Sequence, residues 1–338
     1  MPFYSPLRYP GGKRRLTSAV TQLLDANELN DVIYVEPFAG GAAIGLALLL
    51  EEFASTIHIN DLSRPVYAFW HTVLHDTKEL CRRIEHAKLT VPEWRRQRKI
   101  YEERETAQLD DLGFAALYLN RTNRSGIIDG GVIGGLEQTA KWCIDARFNP
   151  KDLVVRIRRI ARYASRIHLY QSEALHFITT TVPELGRNAF AFCDPPYIEN
   201  GEGLYLNEYS LDDHKALAEK VLKLKCPWLV TYDAAAVRAR LYPSRRRIIY
   251  DLGYSAHNRY DGSEVMFVSD DLVLPHAWRP SSPVELSNPK SRHPLFGKLV
   301  VPPRRFHHVG ASRQTTRTAK RAAARFDTRR ADGQVTPA

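Results

Sequence analysis

The chain has 338 residues, 44% hydrophobic and 25% charged, with a formal net charge of +10. That is ordinary globular composition, long enough for one large domain and a smaller one around a sizeable core. Its longest apolar run, Ala42 to Leu50, falls well short of the roughly 20 residues that cross a bilayer, so no membrane-spanning helix is expected.

The charge is unevenly placed. Between His276 and Ala338 stand 13 Lys and Arg against 3 Asp and Glu, which leaves 35 of each sign in the preceding residues. The net charge therefore describes a basic tail and says nothing about the body. Cys81, Cys143, Cys193 and Cys226 form no C-x-x-C pair and no zinc spacing, and Met1-Pro2-Phe3-Tyr4 does not open a signal peptide. A reduced, cytoplasmic protein that binds no metal and no membrane is expected.

In chain order, Val32-Ile33-Tyr34-Val35 reads as a short strand. It meets Pro37-Phe38-Ala39-Gly40-Gly41 and then a helix from about Ala42 to Phe53. Thr56 to Asp61 is a second strand ending in an acid. Strand, glycine turn, helix, strand and acid make the first half of a nucleotide-type βαβ unit. Helical periodicity then takes over, with segments at Val73 to Ala87, Arg95 to Glu105 and Leu112 to Leu119. A glycine-rich loop, Asn120 to Gly135, follows. Leu153, Ile157, Ile160, Ala164 and Ile167 then repeat at helical spacing, with Arg156, Arg159, Arg162 and Arg166 on another face. The α/β pattern resumes with a buried-type strand at Ala189 to Cys193, a helix at Leu211 to Leu224 and a strand at Trp228 to Tyr232. Arg247 to Asp251 and Glu264 to Ser269 are expected to form an antiparallel pair at the sheet edge. Beyond Pro275, Pro, Ser, Arg and Ala dominate and the chain reads as disordered.

The expected domains are thus a discontinuous α/β body (1–64 and 168–275), a helical insertion (65–167) and a basic tail (276–338). Asp194-Pro195-Pro196-Tyr197 is the strongest motif. Two prolines after a buried strand remove two backbone donors and fix φ, leaving a rigid turn. At the carboxyl end of a parallel strand such a turn lies where α/β sheets bind ligands. A carboxylate, a bare carbonyl and an aromatic face would surround one small site.

Asp-Pro-Pro-Tyr resembles the motif of amino-methyltransferases, and Glu36-Pro37-Phe38-Ala39-Gly40-Gly41 resembles their cofactor loop. Ser5-Pro6-Leu7-Arg8-Tyr9-Pro10-Gly11-Gly12-Lys13 is similar to the amino-terminal motif of Dam-type adenine-specific DNA methyltransferases. The motifs stand in that family's order, across about residues 5 to 272. The resemblance implies a Rossmann-like S-adenosylmethionine-dependent methyltransferase sheet with a helical target-recognition insertion. The implied reaction moves a methyl group from S-adenosylmethionine to N6 of an adenine flipped out of double-stranded DNA. Asp194 and the Pro195 carbonyl would accept from the amino group and stabilise the charge it develops, Pro196 would stiffen the turn and Tyr197 would stack on the base. Tyr9, Gly11, Gly12, Lys13, Phe38, Ala39, Gly40, Gly41 and Asp194 would contact the cofactor, Lys13 through the cofactor's carboxylate. Tyr9 stands where the family usually has Trp. Asp61, at a strand end 20 residues past Gly41, would bind ribose hydroxyls. A P-loop reading of Gly12-Lys13 fails, because Leu7 and Arg14 occupy required positions.

Arg121, Asn123 and Arg124, in a segment matching the family's target-contacting Asn-Arg stretch, are expected to read base edges. Arg156 and Arg159 are expected on phosphates. The remaining readings are cytosine-N4 transfer, which usually has Ser in place of Asp194, and a non-catalytic DNA-binding decoy on the same fold. A monomer is expected, with room for a restriction endonuclease acting on the same site. Transfer to RNA or to a protein glutamine fits the motifs less well.

Overall fold

A β-branched, apolar run bounded by turn residues forms strands because side chains at alternate positions can be buried on both faces of a sheet. The computed structural model describes residues 3–9, 13–198, 209–233, 235–238, 240–251, 263–276, 278 and 282–287. After α1 (Thr17–Ala26), the chain forms β1 (Val32–Glu36), α2 (Ala43–Leu50) and β2 (Ala54–Asn60). Five α-helices follow: α3 (Arg64–His75), α4 (Thr77–Glu85), α5 (Val91–Glu102), α6 (Leu109–Thr122) and α7 (Pro150–Ala161). Then come β3 (Ile167–Tyr170), α8 (Ala174–Glu184), β4 (Ala189–Cys193), α9 (Leu211–Val221) and β5 (Trp228–Asp233). The single turn α10 (Ala235–Arg238), β6 (Arg246–Asp251), β7 (Ser263–Val268) and β8 (Ser282–Ser287) complete the order.

The strands make one sheet in the order β3-β2-β1-β4-β5-β7-β6-β8. β3, β2, β1, β4 and β5 run parallel. β7 runs antiparallel to both β5 and β6, and β8 antiparallel to β6. Alternation along each strand feeds two cores. Val32 and Tyr34 of β1 join Phe190 and Phe192 of β4 on one face, whereas Val35 joins Ala189, Ala191 and Cys193 on the other. The second face is covered by α8 and α9 through Phe177, Ile178, Leu217 and Val221. The first is covered by α1, α2 and the helical segment, with Phe69, Trp70, Tyr118 and Leu153 in the same cluster as Tyr34. The helices between β2 and β3 therefore share the core of the sheet rather than enclosing one of their own.

Strand order reverses between β1 and β4, and at such a switch point the carboxyl ends of the two strands open a crevice. Glu36 to Gly41 leave β1 there, and Asp194 leaves β4.

Some expectations are corrected. The helix expected over Val73 to Ala87 is two, α3 and α4, which meet at Asp76 (φ −131°). The helical periodicity up to Ile167 hid β3, whose Ile167 pairs with Ile57, and α8 was not expected. The pair formed by β6 and β7 is not at the edge, since β7 lies between β5 and β6 and β8 lies outside them. The tail expected to be disordered from His276 contains β8 and Trp278, which is 2% exposed and donates its Nε1–H to Ala19 O at 2.9 Å. The expectation for residues 288–338 lies outside the described residues. No helix among the described residues is long and apolar enough to cross a membrane.

Candidate active site

A cavity of about 490 Å³ opens at the switch point, within the range of small-molecule sites. Its lining includes Tyr9, Glu36, Phe38 to Gly41, Asp61, Asp194 and Pro196.

The loop after β1 is held open by its neighbours. Ala39 N donates to Asn60 O, Gly40 N to Asp61 Oδ2 at 2.8 Å, and Trp70 Nε1 to Gly40 O at 2.9 Å. Gly40 has φ +45°, and a Cβ there would lie 2.7 Å from the Tyr9 ring. Only glycine permits both that backbone conformation and that approach. Phe38 packs edge-on against Tyr209 at 5.8 Å, and the Tyr209 hydroxyl donates to Glu173.

Two acids line this half of the cavity. Asp61 also accepts from Ser63 N, and burial raises its pKa to about 6 against the opposing pull of those two amides. Glu36 is buried; its Oε1 accepts from Tyr34 OH and Gly45 N, while Oε2 has no partner. Burial pushes the Glu36 carboxyl up to about 8. A partnerless buried oxygen is costly by itself and suits a ligand with a donor.

The other half is built on Asp194. Its Oδ1 accepts from Thr231 Oγ1 at 2.6 Å and pairs with Lys13 Nζ at 3.0 Å. Lys13 also lies 3.7 Å from Glu264 Oε1, and both side chains are 2% exposed. Tyr250 donates to Glu264 Oε2 at 2.8 Å, and Tyr197 donates to Oε1. Burial raises the Asp194 pKa; Lys13 opposes it, Glu264 adds to it, and the Thr231 hydrogen bond lowers it.

Lys13, expected on the cofactor's carboxylate, is here the counter-ion of Asp194 and Glu264. Its ammonium lies 4.7 Å from the centre of the Tyr197 ring and donates to its hydroxyl at 2.5 Å. The Tyr197 hydroxyl is thus tied to this group of charges, while the residue itself stays partly exposed. Gly11 and Gly12 lie outside the described residues. Thr231 and Glu264 were not singled out from the sequence, because strands distant along the chain bring them to Asp194 and no local motif marks them.

The expected DNA-contacting residues separate into two groups. Asn123 is fully buried; its amide donates to Ile127 O and Ile128 O and its Oδ1 accepts from Trp94 Nε1, so it braces the loop and cannot read a base. Arg156 pairs with Asp152, donates to Ser5 O and covers the Phe3 ring, while Arg159 lies over the Tyr4 ring, so both hold the amino-terminal segment. Arg124 is exposed, and Arg121 is buried at the wall of a second concavity.

A family model described as D12 class N6 adenine-specific DNA methyltransferase matches residues 9–254. The chain belongs to this family. As a D12 class methyltransferase it acts on adenine in DNA, and its sheet is the Rossmann-like methyltransferase sheet expected from the motifs. Among solved structures, the chain is similar to protein LPL1258 from Legionella pneumophila str. Philadelphia 1 at 10% identity, over 75% of this chain and 83% of that one. The TM-score of 0.28 is too low to equate the two folds. No curated protein matches the sequence.

Proposed function

We propose that this D12 methyltransferase transfers the methyl group of S-adenosylmethionine to N6 of an adenine swung out of the duplex, with Asp194 as the group that receives the amino hydrogens. The observation that carries the proposal is the half-buried Asp194 carboxylate, fixed by Thr231 and Lys13 in the wall of the cavity that Gly40 and Asp61 also line.

The cavity residues suit S-adenosylmethionine. A glycine loop whose Cβ would fill the cradle, a carboxylate at the end of β2 for the ribose hydroxyls and a partnerless Glu36 oxygen for an ammonium provide three matching features. When bound, that group supplies an electrophilic methyl on a sulfonium. Asp61 would hold the ribose while keeping Gly40 in place, and Phe38, Gly40 and Gly41 would pack on the donor. Asp194, with the Pro195 carbonyl, would accept from the exocyclic amino group and draw its lone pair out of conjugation. The positive charge that grows on nitrogen would be met by a carboxylate whose ionised form Lys13 favours. The proton released on methylation would leave through Asp194 or solvent. An amino group stacked inside a duplex is sheltered from such a cavity, so the reading includes extrusion of the base.

The test is label transfer from S-adenosylmethionine to unmethylated DNA, followed by analysis of the modified nucleoside. N6-methyladenine is expected; N4-methylcytosine would replace the base assignment, and cofactor binding without transfer would favour a decoy. Asp194→Ala is expected to reduce turnover by about 10²–10³-fold while cofactor affinity stays within about tenfold. Near-normal turnover would remove Asp194 from its role.

A further inference from the structure

The second concavity is lined by Arg8, Arg121, Asp145, Arg147, Asn149 and Pro150, together with Ala146 and Phe148. Three guanidinium groups and one carboxylate surround it. Arg121 decides its meaning. The residue is 7% exposed, and its Nε, buried, has no hydrogen-bond partner. Among the described residues no carboxylate pairs with it.

Its surroundings are cationic. Burial, together with the nearby Arg156, Arg8 and Arg147, lowers the Arg121 pKa to about 10, against the opposing pull of Asp152. Asp152 is already bidentate to Arg156, at 3.1 and 2.7 Å. A buried cation among like charges is unfavourable unless an anion completes it. Arg147, which has no ion pair among the described residues, is exposed and lies 6.0 Å from the Trp142 ring. The start of α7 also borders the concavity, with Asn149 as its N-cap, accepting from Asp152 N.

Arg8 joins this concavity to the methyl-transfer cavity, since it lines both. Its backbone is clamped: Arg8 N donates to Asn120 Oδ1 at 2.8 Å, and Asn120 Nδ2 donates to Arg8 O at 2.7 Å. A bound anion would therefore sit at a fixed place beside the entrance for the target base.

We propose that Arg8, Arg121 and Arg147 form a seat for one phosphodiester of the DNA strand beside the target adenine. Guanidinium forks match phosphate oxygens bidentately, and a single seated phosphate fixes the register of the strand while the base is extruded. The inference rests on the DNA-methylating reading above and adds to it a specific backbone contact.

The test uses the full chain, an unmethylated duplex that the wild type labels, and a non-reactive analogue of the methyl donor. Duplex affinity is measured across a salt series. Arg147→Ala and Arg121→Gln are each expected to weaken binding about tenfold near physiological salt and to flatten the salt slope by about one, with donor affinity unchanged. Arg82→Ala, an exposed residue paired with Glu79, should leave both unchanged. Arg147 is exposed, so its variant decides the matter even if Arg121→Gln fails to fold.

A scan of single methylphosphonate linkages should find one position that costs the wild type affinity and costs Arg147→Ala nothing further. Full additivity at every linkage, or an unchanged salt slope in Arg147→Ala, would overturn the proposal. So would inorganic phosphate that raises the Tm of the wild type but not of Arg147→Ala while duplex binding is unaltered, which would mark a site for free anions. Failure of the wild type to label DNA at all is a separate readout and refutes the parent reading instead.

Discussion

A carboxylate that must accept hydrogen bonds from an amino group works only when ionised, yet burial at the end of β4 favours its protonated form. Thr231 and Lys13 pull in the opposite direction. The rate should therefore fall as pH falls through the Asp194 pKa, which lies above the ordinary carboxyl value. Thr231→Val removes one of the groups that lower it, so the acidic limb of the kcat/KM profile should move to higher pH. A limb that stays in place would detach Thr231 from the ionisation of Asp194. Glu36 illustrates the cost of burying an acid with one oxygen unpartnered. Its folded pKa of about 8 lies above the ordinary carboxyl value of 4.5 in the unfolded chain, so its contribution to stability is fully present below about 4.5 and lost as pH rises through about 8. Glu36→Gln should raise the Tm of the empty protein, by more at pH 8 than at pH 5, while weakening the methyl donor about tenfold by loss of a charged acceptor. A Tm gap that does not widen with pH would contradict the burial of an ionisable Glu36.

At the scale of elements, the loop after α6 shows how a polar segment can be mistaken for a reading surface. Asn120 and Asn123 stand beside Arg121 and Arg124 in a run that suits base edges, but both asparagines point inward. Asn120 clamps Arg8 and Gly126 O, and Asn123 links Trp94 to two carbonyls. Asn123→Ala should lower stability by about 1–3 kcal/mol, since it leaves buried groups unpaired, and a thermal melt reads this directly. A base-reading side chain on the surface would leave the melt unmoved. The parallel strands were legible because β1 and β4 are continuous apolar runs ending in chemistry-bearing turns. β3 was not, because Ile167 continues the helical spacing of Leu153, Ile157 and Ile160 across the end of α7. Of the site, the residues next to a motif could be read. Thr231 and Glu264 could not, because only the pairing of β5, β7 and β6 brings them to Asp194.

For the molecule as a whole, charge proved a poor guide to where folding stops. The balanced body and the basic remainder divide at His276 by composition, but the core does not end there. Trp278 is buried among residues that include α1, with its indole N–H satisfied by Ala19 O. β8 then covers the free edge of β6, pairing Ile248 with Leu286 and Asp251 with Ser282. Removing both would expose an apolar socket on α1 and leave β6 as an open edge, which is an aggregation hazard. Loss of a buried Trp alone costs about 3–5 kcal/mol. A chain ended at residue 275 should therefore melt well below the full chain and aggregate on heating, whereas a chain ended at residue 287, which keeps Trp278 and β8, should melt well above the shorter one. Equal melting of the two shortened chains would mean that Trp278 and β8 add nothing to the fold.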